Sequence, residues 1–133
     1  MSIKGPLKLK VQLMSGTEAA IGPGRALVLE AVSRAGSISG AGRLIGMSYR
    51  RTWLHVDAMN RCWQEPVVET IAGGGSNRGA QLTDWGREVL RCFRSVELRM
   101  EAATDSEEYR ILAARLRTDP LPFGGPSIGR TQG

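Results

Sequence analysis

From residue 7 to residue 13 the chain alternates strictly, with Leu7, Leu9, Val11 and Leu13 separated by Lys8, Lys10 and Gln12. A period of two predicts a strand with one buried face, ended by Ser15-Gly16. The period then lengthens. After Pro23-Gly24, the residues Ala26, Leu27, Leu29, Ala31 and Val32 recur at helical spacing, and Ala35-Gly36 closes a first helix over about 24–34. Ser37 can cap a short second helix over 38–45, apolar at Ile38, Ala41, Leu44 and Ile45. Gly40 and Gly42 are poor helix formers, and their presence predicts that another backbone comes close. Gly46-Met47 reads as a tight turn. Ser48 is a second cap, opening a third helix from Tyr49 to about Trp63. A helix advances about 100° per residue. Tyr49, Thr52, Trp53, Val56, Met59, Asn60 and Trp63 then share a face assigned to the core. Arg50, Arg51, Leu54, Ala58 and Arg61 share the face assigned to solvent.

Pro66 ends that stretch, and the β-branched run Val67-Val68-Glu69-Thr70-Ile71 predicts a strand. A glycine-rich segment follows, then the short return strand Gln81-Leu82-Thr83, so the two form a hairpin with a loose tip. Thr83 can cap a fourth helix in which Trp85, Val89, Cys92, Phe93, Val96 and Met100 recur at steps of four and three. Asp105 with Glu108 has the form of a capping box, so the helix is expected to break near Thr104. Tyr109, Leu112, Ala113 and Leu116 continue an apolar stripe until Asp119-Pro120. The proline- and glycine-rich stretch from Leu121 is expected to be a disordered tail. The units read from this pattern are 1–103, the main domain with the fourth helix, 104–118, a helical extension, and 119–133, the tail.

Strand, helix, short helix, tight turn, helix, hairpin, helix is the order of a winged helix-turn-helix. The fold class is therefore mainly α with a small β wing (α+β), followed by a C-terminal helix suited to dimerisation. Charge changes the picture from fold to function. The net charge is +5, and the surplus lies in the first half of the chain. Between Arg25 and Cys62, six arginines face only Glu30 and Asp57. Such a balance suits a polyanion. Arg50 and Arg51 stand in the first turn of the third helix, the part of a helix-turn-helix that enters the major groove, where arginine can reach guanine. Ser37, Ser48, Tyr49, Leu54 and His55 lie around them. Arg78, at the hairpin tip, is a candidate for a phosphate or the minor groove. Trp85, Val89, Cys92, Val96 and Met100 form the candidate dimer stripe, with Leu90 and Phe93 beside it to cover the body of the domain.

Three runs of this sequence resemble the N-terminal DNA-binding domain of ModE-type molybdate-responsive regulators. They are Gly36-Ser37-Ile38-Ser39-Gly40-Ala41, Leu44-Ile45-Gly46-Met47-Ser48-Tyr49-Arg50-Arg51-Thr52-Trp53 and Val56-Asp57-Ala58-Met59-Asn60. Glu65-Pro66-Val67-Val68-Glu69-Thr70, and Leu82-Thr83 followed by Gly86, resemble that family's wing and the start of its dimer helix. The likeness runs from about Leu7 to Met100. The simpler pattern of Gly-Ser with Leu-Thr-x-x-Gly is shared with the LysR-type domain, the nearest competitor. The resemblance implies a transcriptional regulator that binds double-stranded DNA as a homodimer. The family's β-rich oxyanion domains follow the dimer helix, and about thirty residues remain here after Met100. Molybdate binding by this chain is therefore not expected.

Other chemistry is poorly supplied. One histidine and two scattered cysteines do not make a metal site of the usual spacing, and no cofactor is implied. Gly74 to Gly79 has the glycine spacing of a phosphate loop, but Ala80 and Gln81 stand where lysine and serine or threonine are required. No Ser or Cys nucleophile has an evident pairing with His55, so an enzyme is not expected. His55 itself reads as solvated or touching a phosphate. Asp57 is expected to pair with Arg61, and Asn60 to bond inside the fold. Trp53, Trp63 and Trp85, with Cys62 and Cys92, read as core. No apolar run reaches the length of a membrane span, and the N-terminus lacks an apolar signal region. A cytoplasmic protein without a membrane partner is expected. The competing reading is a winged-helix adaptor that binds protein rather than DNA, suggested by the apolar Leu54 and Ala58 beside the arginines.

Overall fold

The computed structural model describes residues 8–72 and 79–124. The chain begins with an antiparallel hairpin of β1 (Leu13–Ser15) and β2 (Glu18–Ile21). This corrects the expected strand over 7–13. Residues 8–12 have no regular structure and Leu7 lies outside the described residues. The alternation finds no neighbouring strand to bond, and Leu9 and Leu13 stay exposed, while Val11 packs against the core. Pairing begins only next to the turn at Gly16.

Three helices follow, α1 (Pro23–Ala35), α2 (Ile38–Ile45) and α3 (Tyr49–Cys62). Helix α1 starts at Pro23 without a side-chain cap, whereas α2 and α3 start at caps that satisfy free backbone N–H groups. Ser37 Oγ accepts from Gly40 N at 2.9 Å and Ser48 Oγ from Arg51 N at 3.1 Å. Each cap of this kind is worth about 1 kcal/mol. Between α2 and α3 the chain reverses at Gly46, whose φ of 70° is a left-handed value that glycine adopts without strain. A Cβ on Gly42 would lie 2.5 Å from Met47 O and 2.8 Å from Thr52 Oγ1. A Cβ on Gly40 would meet side chains first, Ser37 Oγ at 2.8 Å and Ala35 Cβ at 3.0 Å, whereas at Gly42 the expected close approach is made by the turn and by α3. Thr52 is fully buried there, its hydroxyl donating to Ser48 O at 2.8 Å.

The wing is an antiparallel pair, β3 (Val68–Ile71) with β4 (Gly79–Leu82), in a register that sets Val68 opposite Leu82. It is anchored twice. Ala80 N donates to Gly36 O at 2.9 Å, joining β4 to the end of α1. Asn60 Oδ1 accepts from Val67 N at 2.8 Å and Val68 N at 3.2 Å, while its Nδ2 donates to Val68 O at 3.0 Å. One side chain of α3 therefore satisfies three backbone groups of the wing, as expected of Asn60. Ile21, Val28, Leu29, Val32, Met59 and Val67 close the core between the hairpins and the helices.

Thr83 Oγ1 accepts from Gly86 N at 2.9 Å and donates to Pro66 O at 2.7 Å, starting α4 (Asp84–Met100) beside the wing. Arg94 of α4 reaches Glu30 of α1 through Nε at 3.0 Å and Nη2 at 2.7 Å. After Met100 a 3-10 segment (Glu101–Asp105) leads into α5 (Glu107–Ala114). The break falls where expected, but the cap is Ser106, which accepts from Tyr109 N at 3.1 Å, rather than Asp105. The order and the small antiparallel sheets make an α+β fold of the winged helix-turn-helix type.

Several burial assignments change. Tyr49 and Trp53 are exposed, at 58% and 43%, although their spacing placed them in the core. Leu44 is likewise exposed. Ala58, which the spacing places toward solvent, is buried because β2 covers a second side of α3. That second cover came from a strand the alternation did not reveal. Trp63 and Trp85 are half-buried and meet edge to face, with centroids 5.7 Å apart and planes at 72°. Cys62 is half-buried and Cys92 is exposed, so neither is a fully buried hydrophobe. Tail residues 119–124 have no helix or strand, and 125–133 lie outside the described residues.

Candidate nucleic-acid interface

The open face of α3 divides into three stripes. At 3.6 residues per turn, Arg50 and Leu54 share the middle of the exposed arc, opposite Thr52, Val56 and Met59. Tyr49 and Trp53 flank them on one side. Arg51 and His55 flank them on the other. Leu54 is 44% exposed, and Ser48 and both arginines are exposed. Exposed large apolar side chains among arginines, on the first two turns of a capped helix, are more than a solvated helix face requires.

The arginines of the chain fall into two groups. Arg25, Arg61, Arg87, Arg91 and Arg94 each have a carboxylate partner. Among the described residues Arg34, Arg43, Arg50, Arg51, Arg99, Arg110, Arg115 and Arg117 have none, and of these only Arg50 and Arg51 stand side by side at the start of a helix. Arg50 and Arg51 also stand at the positive end of a helix dipole, where a cation is disfavoured. No acid occupies the first turn of α3, as in α1 and α2, whereas α4 and α5 carry Asp84, Glu107 and Glu108 there. The local field is therefore positive and uncompensated. An anion at this end would relieve both the dipole and the arginine repulsion.

His55 is not simply solvated. It is half-buried, and its Nδ1 accepts from Arg25 Nε at 3.1 Å. Arg25 in turn bonds Glu18 Oε2 at 2.8 Å and the carbonyl oxygen of Ala19. Burial, then the charges of Arg25 and Arg51, hold the imidazole pKa below its ordinary 6.5, with Glu18 opposing. The ring is thus neutral at pH 7. A neutral ring whose Nδ1 accepts must carry its proton on Nε2. Arg25 therefore fixes His55 as a donor beside Arg51.

The remaining candidate residues are placed differently. Ser37 Oγ is half-buried and engaged in capping α2. Arg78 lies outside the described residues, as does the glycine-rich stretch 73–78. Asp57 pairs with Arg61 at 3.0 Å as expected, nearly two turns beyond Arg50 and Arg51. The stripe on α4 divides. Val89 and Phe93 are buried in the chain's own core at 5% and 3%, and Trp85 is held against Trp63. Cys92, Val96 and Met100 are exposed, the latter two at 41% each. Helix α5 buries no residue, and Ile111, Leu112 and Leu116 are open. The Arg25–His55 bond joins residues thirty positions apart and carries no local sequence signal. Tyr49 and Trp53 lie at the edge of the α3 face that Thr52, Val56 and Met59 bury, which is why helical spacing alone does not show their exposure.

Among the described residues no cluster of three His, Cys, Asp or Glu could hold a metal ion, and no helix is long and apolar enough to cross a membrane. The chain matches no protein-family model. It is similar to the molybdenum transport protein ModE of Azotobacter vinelandii, with 34% identity over 102 residues, 77% of this chain and 38% of that protein. It is 38% identical over 85 residues to the molybdenum-pterin-binding protein MopB of Rhodobacter capsulatus, 64% of this chain and 32% of that one. The DNA-binding transcriptional dual regulator ModE of Escherichia coli K12 is 31% identical over 71 residues, 53% of this chain and 27% of that regulator. The chain spans about a third of the length of the curated relatives it matches.

Proposed function

We propose that this chain is a sequence-specific double-stranded DNA-binding transcriptional regulator of the ModE kind, acting as a cytoplasmic homodimer and not as an enzyme. The observation that carries the reading is the end of α3, where Arg50 and Arg51 stand exposed and without a described carboxylate partner at the positive end of a capped helix. The similarity to proteins named as transcriptional regulators supports it. In this reading α3 lies in the major groove with Arg50 and Leu54 toward the base edges. Arg51 and His55 on one flank, with Tyr49 and Trp53 on the other, meet the two sugar–phosphate walls. Phosphate contacts set position and register, and the middle stripe reads sequence.

Pairing is read from α4. The stripe that is core at Val89 and Phe93 continues as Val96 and Met100, where it is exposed. A second copy on that outer half would remove Val96, Met100 and the exposed Cys92 from water. Two-fold pairing would set two α3 helices about one DNA turn, ~34 Å, or a multiple apart. Molybdate binding forms no part of the role proposed for this chain. The exposed Tyr49, Trp53 and Leu54 also suit an adaptor with a protein partner, which predicts that Leu54→Asp releases a bound protein and leaves DNA affinity unchanged. The deciding experiment sequences the fragments that the protein retains from a random duplex pool. A recurring two-fold motif is expected, and retention without any shared motif would contradict the proposal.

A further inference from the structure

We propose that Leu54 reads the 5-methyl group of a thymine beside the base contacted by Arg50, so that each half-site must hold a thymine at that step. The inference rests on the DNA-binding reading above and goes further by naming the base feature recognised. Leu54 lies one turn after Arg50 on the same line of α3, in the middle of the exposed arc, and is 44% exposed. Nothing in the chain's own core uses it, since the adjoining buried positions are Thr52, Val56, Ala58 and Met59. An isobutyl group in the major groove has one apolar base feature to meet, the thymine methyl, because the other exposed edges are donors and acceptors. The groove is also the partner that the surroundings favour. The apolar side chain is set among arginines with no described carboxylate partner and no acid in the first turn, a field suited to a polyanion. Arg50 would fix the helix against one base through paired hydrogen bonds, and Leu54, about 6 Å along the helix axis, would fall over a neighbouring step.

The test uses the full chain and the duplex it retains most tightly from a random pool. Each thymine is replaced in turn by deoxyuridine, which keeps the base pair and deletes only the methyl. The expected result is a loss of about three- to tenfold in affinity at one thymine per half-site. Leu54→Ala, an exposed substitution that keeps the fold, should lose a similar factor on the thymine duplex and nothing further on the deoxyuridine duplex. Sequence-selective retention with no effect of deoxyuridine at any position would overturn the inference and leave the DNA-binding reading standing. So would a Leu54→Ala protein that stays as sensitive to the methyl as the wild type, or whose affinity is unchanged while a protein partner is lost. Retention of no duplex at all would overturn both.

Discussion

Arg25 Nε donates to Nδ1 of His55 at 3.1 Å, tying the start of α1 to the exposed flank of α3. The neutral imidazole is the form that accepts this bond. Because the folded pKa is below the ordinary 6.5, the unfolded chain binds the proton first as pH falls. The bond's contribution is therefore present above about pH 6.5 and is lost below it, as pH falls toward the folded value. Urea titrations at pH 7.5 and 5.5 should show lower stability at the acid end, and His55→Gln should flatten the difference. An equal pH dependence in the variant would show that His55 is not its source. Glu18, held below 4.5 chiefly by its hydrogen bond from Arg25, acts in a separate and more acid window.

Asn60→Ala should destabilise the fold by about 2–3 kcal/mol, because it strips partners from the N–H groups of Val67 and Val68 and from Val68 O. Both valines are buried, so water does not fully replace the amide. Denaturant midpoints measure the cost. A change under about 0.5 kcal/mol, the range of an ordinary surface substitution, would mean that the β3–β4 pairing alone holds the wing.

Gly42→Ala and Gly86→Ala test two close approaches. A Cβ on Gly86 would lie 2.0 Å from Val67 O, and one on Gly42 2.5 Å from Met47 O. Both obstacles are backbone, so the elements must separate. Each variant is expected to lose about 1–3 kcal/mol or more, despite alanine's better helix propensity. A melting temperature equal to the wild type's would contradict the packing described at the α2–α3 turn or at the start of α4.

Much of the helical frame could be read from the sequence because its boundaries are written in local chemistry. Ser37, Ser48 and Thr83 each accept the expected backbone N–H, and Gly36 and Gly46 each close a helix with positive φ. The first hairpin was less legible. Its second strand, Glu-Ala-Ala-Ile, has little β-branched character, and its turn depends on Gly16 at φ 61°. Missing β2 carried over into the site. It is β2 that covers Ala58 and that brings Glu18 to Arg25 beside His55, and neither is written in the local pattern of α3. The two-state burial of the α4 stripe was hidden too, because periodicity does not say where the body of a domain stops beneath a long helix.

Val96→Glu tests pairing without entering the core of one chain, since Val96 is 41% exposed. The wild type should sediment as a dimer at micromolar concentration, and the variant near 14.4 kDa with weaker operator binding. If the variant remains folded and dimeric, the outer half of α4 is not the interface.

The most direct test of the DNA-binding account is affinity against salt for the wild type, Arg50→Ala and Arg51→Ala, on the selected duplex and on a scrambled one. Wild-type affinity should fall steeply with salt as the basic side chains displace counterions. Arg50→Ala should lose about 1–3 kcal/mol on the selected duplex and little on the scrambled one, while Arg51→Ala should weaken both and lower the salt slope by about one. Salt-insensitive binding, or equal loss from Arg50→Ala on both duplexes, would contradict the placement of α3 in the groove.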